Sequence, residues 1–196
     1  MSALEKPAEI LTPEEYLEME RAAEERSEYV NGIVVAMAGG TFEHDIIAGN
    51  IQRSLGTQLR DRPCYAFTAN MKVRIDRANV FRYPDASALC GPVLFHDQTR
   101  DAYCNPGLIV EVLSPGTERY DRTDKFALYR MLDSFTEYLL VAQDRREAQL
   151  FRKQPDERWT EQTFTQPEEI VVLESIASSL HLSDIYDKVE GPGSHG

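Results

Sequence analysis

Two stretches of the chain place apolar residues at helical spacing, and the segments between them alternate or cluster in the manner of strands. Ile46, Ile47, Ile51, Leu55 and Leu59 form one buried stripe, which predicts an amphipathic helix from Phe42 to about Leu59, with Pro63 beyond its end. Phe126, Leu128, Tyr129 and Leu132 predict a second such helix over Tyr120 to Leu132. Met71, Val73 and Ile75 alternate with Lys72, Arg74 and Asp76, the pattern of a half-buried strand whose polar face is locally basic. Phe81 to Cys90, Gly107 to Leu113 and Tyr138 to Ala142 read as further strands.

Local signals fix the ends of other elements. Thr12-Pro13-Glu14-Glu15 sets a capping threonine before a first-turn proline and a glutamate three residues on, so a short helix is expected through about Glu25. Asn31-Gly32 inside Glu28 to Val35 predicts a hairpin, closed off by Gly39-Gly40. Glu147 to Arg152, Trp159 to Phe164 and Ile170 to Leu173 read as a strand meander extending the sheet, and Glu174 to Lys188 as helix or irregular chain. The pattern is that of one α/β (α+β) domain over residues 1–190 followed by a flexible tail, 191–196.

The composition narrows the class. At 196 residues and 42% hydrophobic content the chain can bury one sizeable core, and its apolar runs are too short to span a bilayer. The first twenty residues lack a cationic start followed by an apolar run, so a cytoplasmic protein is expected. Cys64, Cys90 and Cys104 are odd in number and lack metal-site spacing, which predicts reduced, mostly buried thiols. Lys and Arg number 21 against 33 Asp and Glu, a formal charge of −12. That balance repels polyanions at long range, unless a local basic groove or bound cations reverse the potential where a phosphate sits.

Two carboxylates stand out against the pattern. Asp85 follows Pro84 on a predicted strand, and Glu111 interrupts the apolar run Leu108-Ile109-Val110-Glu111-Val112-Leu113. A charge buried in such a run costs several kcal/mol unless it is paired or bound to a metal, roughly as for any desolvated ion. Lys125 lies on the next helix, on a different face from Leu128 and Leu132, where it can reach back across the strand ends. Two hard carboxylates and an amine suit phosphodiester hydrolysis with Mg²⁺ or Mn²⁺, with the Val112 carbonyl as a third oxygen donor and the lysine orienting or helping to deprotonate the attacking water.

The ordered set of motifs resembles the Uma-type restriction endonucleases of prokaryotes. It comprises Leu11-Thr12-Pro13-Glu14-Glu15-Tyr16-Leu17, Glu28-Tyr29-Val30-Asn31-Gly32, His44, Tyr83-Pro84-Asp85, Val110 to Pro115, a helix with Asp121, Lys125 and Tyr129, and Glu137-Tyr138. The resemblance spans Leu11 to about Tyr186. It implies a restriction-endonuclease-like mixed β-sheet flanked by helices, to which the N-terminal hairpin and the C-terminal meander are additions. It also implies a PD-(D/E)xK site of Asp85, Glu111 and Lys125, a divalent metal, and a nucleic-acid substrate, DNA by preference. One departure from the general signature is Leu113, which stands where a strict E-x-K lysine would; the family shows the lysine migrated to the next helix. A homodimer is expected where both strands of a duplex are cut, and no membrane association is expected.

Each residue also has a plainer reading. Asp85 can cap the turn near Ser87, and Lys125 can be one more solvated helix lysine. His44 reads as a helix-start histidine or as a supporting group near metal or substrate. Glu28 reads as a site carboxylate reaching from the hairpin or as a surface acid paired with Lys72 or Arg74. Tyr83 and Tyr129 read as core aromatics with satisfied hydroxyls. Lys72, Arg74 and Arg82 are candidate phosphate contacts, with a solvated strand face as the alternative. Two other functions fit the sequence: a catalytically silent module that binds nucleic acid or protein, and a carbohydrate or small-phosphate hydrolase using Asp85 and Glu111 as an acid/base pair, which leaves Lys125 without a role.

Overall fold

A computed structural model describes residues 10–37 and 39–189; the expected tail lies outside them. The helix-start signal forms as read. The Thr12 hydroxyl accepts from the Glu15 amide at 3.2 Å, the Glu15 carboxylate accepts from the Thr12 amide at 2.7 Å, and helix α1 spans Pro13–Ala22. It stops short of Glu25 because Ala23 is already extended. Strands β1 (Ser27–Val30) and β2 (Ile33–Ala36) flank Asn31 and Gly32, whose φ angles of 48° and 94° make the tight turn that this dipeptide favours. Helix α2 runs over Phe42–Gln58 and buries Ile47, Ile51 and Leu55.

The strands then divide between two sheets. Strands β3 (Cys64–Thr68), β4 (Lys72–Ile75), β5 (Val80–Arg82), β6 (Ala86–Cys90), β7 (Ala102–Tyr103), β8 (Leu108–Leu113), β9 (Glu137–Ala142), β10 (Ala148–Lys153) and β11 (Trp159–Phe164) follow in order. One sheet has the order β11-β10-β9-β8-β6-β3, and the other β2-β1-β5-β4-β7. The N-terminal hairpin is therefore built into a second sheet. The single strand predicted from Phe81 to Cys90 is two strands in two sheets, because Pro84-Asp85 breaks the ladder between β5 and β6.

In the six-stranded sheet β8 and β9 pair in parallel, which requires a crossover. The crossover is helical from Glu118 to Tyr129: α3 (Glu118–Tyr120), a wide π-helical turn (Asp121–Lys125) and α4 (Phe126–Tyr129). Strand alternation assigns the faces. Leu108, Val110 and Val112 point into a core with α2, whereas Ile109 and Leu113 point into a second core with Tyr129, Leu132, Phe135 and Tyr138. Glu111 shares that second face and so looks toward the crossover helix.

The meander is corrected at its end. Strands β10 and β11 extend the sheet, but β12 (Ile170–Leu173) leaves it to pair with β13 (Ser178–His181), before a last turn of helix, α5 (Leu182–Ile185). Glu137, almost fully buried, anchors this departure. Its carboxylate accepts from Arg152 at 2.8 Å, from the Glu174 and Ser175 amides at 3.0 and 2.9 Å, and from the Ser175 hydroxyl at 2.6 Å. Glu137→Ala is expected to cost about 3 kcal/mol by stranding those donors. Urea denaturation measures the loss, and activity well below the midpoint should be unchanged.

The cysteine expectation is also corrected. Cys64 and Cys90 face each other across the β3–β6 ladder and form a disulfide, leaving Cys104 free and partly buried. Their separation of 26 residues carries no hint of the cross-strand register that brings them together. No helix among the described residues is long and apolar enough to cross a membrane.

Candidate active site

The break between β5 and β6 places Asp85 beside the C-terminal half of β8. Asp85 Oδ2 accepts from the Val112 amide at 2.7 Å, which locks the two acidic segments together. From the other side, His44 in the first turn of α2 brings Nε2 to 3.3 Å from the same oxygen. That contact raises the imidazole pKa above its ordinary value; burial opposes the rise and the Asp85 charge adds to it.

Glu111 is 2% exposed, and each of its oxygens has a partner. Oε1 accepts from the Tyr129 hydroxyl at 2.9 Å, and Oε2 lies 3.0 Å from Lys125 Nζ. Lys125 also lies 3.1 Å from Asp121 Oδ1, four residues back in the wide turn. The Tyr138 hydroxyl holds that turn by donating to the Asp121 carbonyl at 3.0 Å. Burial pushes the Glu111 carboxyl up to about 8; Lys125 pulls it down, while Asp85 and Asp121 push it further up. For Lys125, burial favours the neutral amine, but Glu111, Asp121 and Glu28 outweigh it and raise the pKa.

Glu28 on β1 joins the same wall. Its Oε1 accepts from the Tyr83 amide at 3.1 Å and its other oxygen pairs with Arg82, whose guanidinium also meets the Tyr120 hydroxyl. The partner of Glu28 is thus Arg82, and neither Lys72 nor Arg74. Arg82 is almost fully buried, and its Nε has no hydrogen-bond partner among the described residues. These side chains open onto one cleft of about 760 Å³, lined by Glu28, His44, Arg82, Asp85, Glu111, Val112, Asp121 and Lys125 together with Tyr120, Pro115 and the apolar residues of the hairpin.

Two predicted phosphate contacts are placed elsewhere. Lys72 pairs with Asp101 at 3.0 Å and approaches the Tyr83 hydroxyl at 3.2 Å; Arg74 pairs with Asp76 at 2.8 Å and Asn79 at 3.0 Å. Neither lines the cleft. Strand β4 is interior to its sheet, between β5 and β7, and both its faces are covered, so its polar side holds internal ion pairs where a solvated basic face was expected. Local pattern assigns no role to Asp121 or Tyr120. The i,i+4 spacing of Asp121 and Lys125 was an available signal for the first.

Among the described residues no three His, Cys, Asp or Glu side chains gather into a cage for a metal ion. A protein cage is not what Mg²⁺ or Mn²⁺ requires, since one or two carboxylates suffice when waters and substrate phosphate complete the shell. Asp85 and Glu111 fit that donor set: burial raises the Glu111 pKa first and the Asp85 charge adds to the rise, and a bound cation would offset both.

Comparisons with known proteins place the chain in a family and a fold. The model of the Uma2 family, described as "Putative restriction endonuclease", matches residues 13–183. Two proteins of Synechocystis are similar over most of their length: uncharacterized protein sll1609, 33% identical over 150 residues, covering 76% of this chain and 85% of that one, and uncharacterized protein slr1290, 34% identical over 177 residues, covering 90% and 91%. The crystal structure of a protein from Anabaena variabilis, titled "a putative nuclease belonging to DUF820", superposes with a TM-score of 0.72 at 17% identity, covering 90% of this chain and 97% of that one. The restriction-endonuclease-like mixed fold is shared.

Proposed function

The chain belongs to the Uma2 family, and on that premise we propose that it is a divalent-cation-dependent DNA endonuclease acting through Asp85, Glu111 and Lys125. The observation that carries this reading is the meeting of three side chains from three separate elements at one open cleft, with Lys125 3.0 Å from Glu111 and Asp85 tied to the neighbouring residue, Val112.

Hydrolysis adds water across a P–O ester bond: the water oxygen bonds to phosphorus, and the ester oxygen leaves and takes up a proton. Asp85 and Glu111, with the Val112 carbonyl, would hold the cation, which supplies charge neutralisation and a more acidic water. His44 fixes the orientation of Asp85, as second-layer partners do for metal-binding carboxylates. Lys125, enclosed by Glu111 and Asp121, presents a fixed ammonium to charge developing on the phosphate oxygens. Tyr129 and Asp121 hold Glu111 and Lys125 in register, and the Glu28–Arg82 pair forms the wall beside them. Lys72 and Arg74 have no substrate role in this reading.

The test is cleavage of closed circular DNA, single- and double-stranded, with Mg²⁺, with Mn²⁺ and with EDTA. Cuts are expected with metal only, and they should vanish in Asp85→Asn at an unchanged melting temperature. Equal cleavage in EDTA or in Asp85→Asn would remove the proposed site, and no cleavage of any DNA would favour the silent module.

A further inference from the structure

The walls of the cleft have an uneven chemistry. The side chains with basic nitrogen that line it are His44, Arg82 and Lys125, and each is already engaged by a carboxylate: Asp85, Glu28, and Glu111 with Asp121 respectively. A duplex is gripped through its backbones, on the order of six to ten phosphates held by Lys and Arg. Among the described residues the lining of this cleft offers no cation without a carboxylate partner, in a chain of net charge −12.

Beside these charges the hairpin contributes an apolar rim. On the β1–β2 hairpin Ile33, Val35 and Met37 alternate toward the cleft and are 51%, 43% and 36% exposed, while Val34 between them packs on the core. Val35 sits directly across the ladder from Glu28, so the apolar rim begins where the charged floor ends. Tyr120, 37% exposed, adds an aromatic ring steadied by the Arg82 guanidinium 5.3 Å from its centre. Strand β2 is an edge strand with no Lys or Pro, the residues that usually blunt such an edge.

Resting on the nuclease reading above, we infer that the substrate strand in this cleft is single-stranded DNA, its unstacked bases laid against Ile33, Val35, Met37 and Tyr120 and its phosphate over Asp85 and Glu111. Paired bases are hidden inside a duplex and cannot use an apolar wall, whereas an unpaired base can stack on the Tyr120 ring and lay its face against the aliphatic side chains beside it. The cleft volume matches that of a small-ligand site, about 300–1,000 Å³ in general, and suits a short run of extruded nucleotides. Deoxyribose is favoured because Ile33, Val35 and Met37 offer no hydrogen-bond partner to a 2′-hydroxyl.

The experiment is fluorescence anisotropy with a labelled oligodeoxynucleotide, its duplex and the RNA of the same sequence. Ca²⁺ replaces Mg²⁺ to prevent turnover, and the native protein is compared with the double variant Val35→Ser/Met37→Ser. The single DNA strand is expected to bind at least about tenfold more tightly than duplex or RNA, and the double variant to lose about tenfold of that affinity while keeping the native melting shift with Mn²⁺. Equal or tighter binding of duplex, tighter binding of RNA, or an unaffected double variant overturns the inference. So does a native dimer that the double variant dissolves, since the rim would then be a subunit interface. Metal-dependent cutting of duplex DNA alone would overturn this inference and leave the nuclease reading standing; failure to cut any DNA would remove both.

Discussion

Glu111→Gln is expected to lower the single-turnover rate of DNA cleavage by about 10³-fold, equivalent to about 4 kcal/mol, while leaving the fold at least as stable as the native one. Two effects of the same burial separate in this variant. Glutamine keeps the shape and can still accept from Tyr129, but it brings no charge to a cation and no counter-charge to Lys125. The stability side follows from the raised pKa. A carboxyl whose folded value of about 8 lies above its ordinary 4.5 binds a proton more readily in the folded state, so its contribution to stability falls as pH rises between those values. Glutamine removes that dependence, and chemical denaturation across pH 5 to 8 measures its disappearance. A native cleavage rate in Glu111→Gln would take the residue out of the chemistry.

Lys125→Ala is expected to behave in the opposite way, losing activity and stability together. Its ammonium lies 3.0 and 3.1 Å from the carboxylates of Glu111 and Asp121, both nearly fully buried. Removing that cation leaves the Asp121 carboxylate buried without its partner and obliges Glu111, already raised by burial, to take up a proton to stay in place, a combined defect of about 3–5 kcal/mol. The double variant Lys125→Ala/Glu111→Gln should recover much of that loss and none of the activity. Additive destabilisation would show that the two side chains are not energetically coupled.

Much of this site is written in the residues. Glu111 declares itself as a carboxylate in an otherwise apolar strand, and strand alternation explains its direction: it falls on the face of Ile109 and Leu113, which the crossover helix covers. The pattern places Asp85 on a strand, and the structure sets it in the break between two sheets, where Pro84 interrupts the ladder. Lys125 is marked weakly by its helix face and more strongly by the ordered family motifs, because a helix lysine is ordinarily solvated. The wide turn that carries it together with Asp121 is held by the hydrogen bond from the Tyr138 hydroxyl to the Asp121 carbonyl, a long-range contact that local spacing does not encode.

The misreadings share a cause. Alternation along β4 predicts one wet face, yet a strand interior to a covered sheet buries both, so Lys72 and Arg74 are internal ion-pair partners. The Cys64–Cys90 bond, the separate β12–β13 ribbon and the second sheet all depend on which strands become neighbours, and pattern along a single chain constrains that weakly.

The most direct measurement is Mn²⁺ titration followed by thermal and urea unfolding, on the native protein and on Asp85→Asn. If the carboxylates at this cleft hold a hard cation, Mn²⁺ at a hundredfold excess over its dissociation constant should stabilise the native protein by about 2.7 kcal/mol and Asp85→Asn far less. Stabilisation that is absent from the native protein, or equal in both, would contradict a metal site at Asp85 and Glu111.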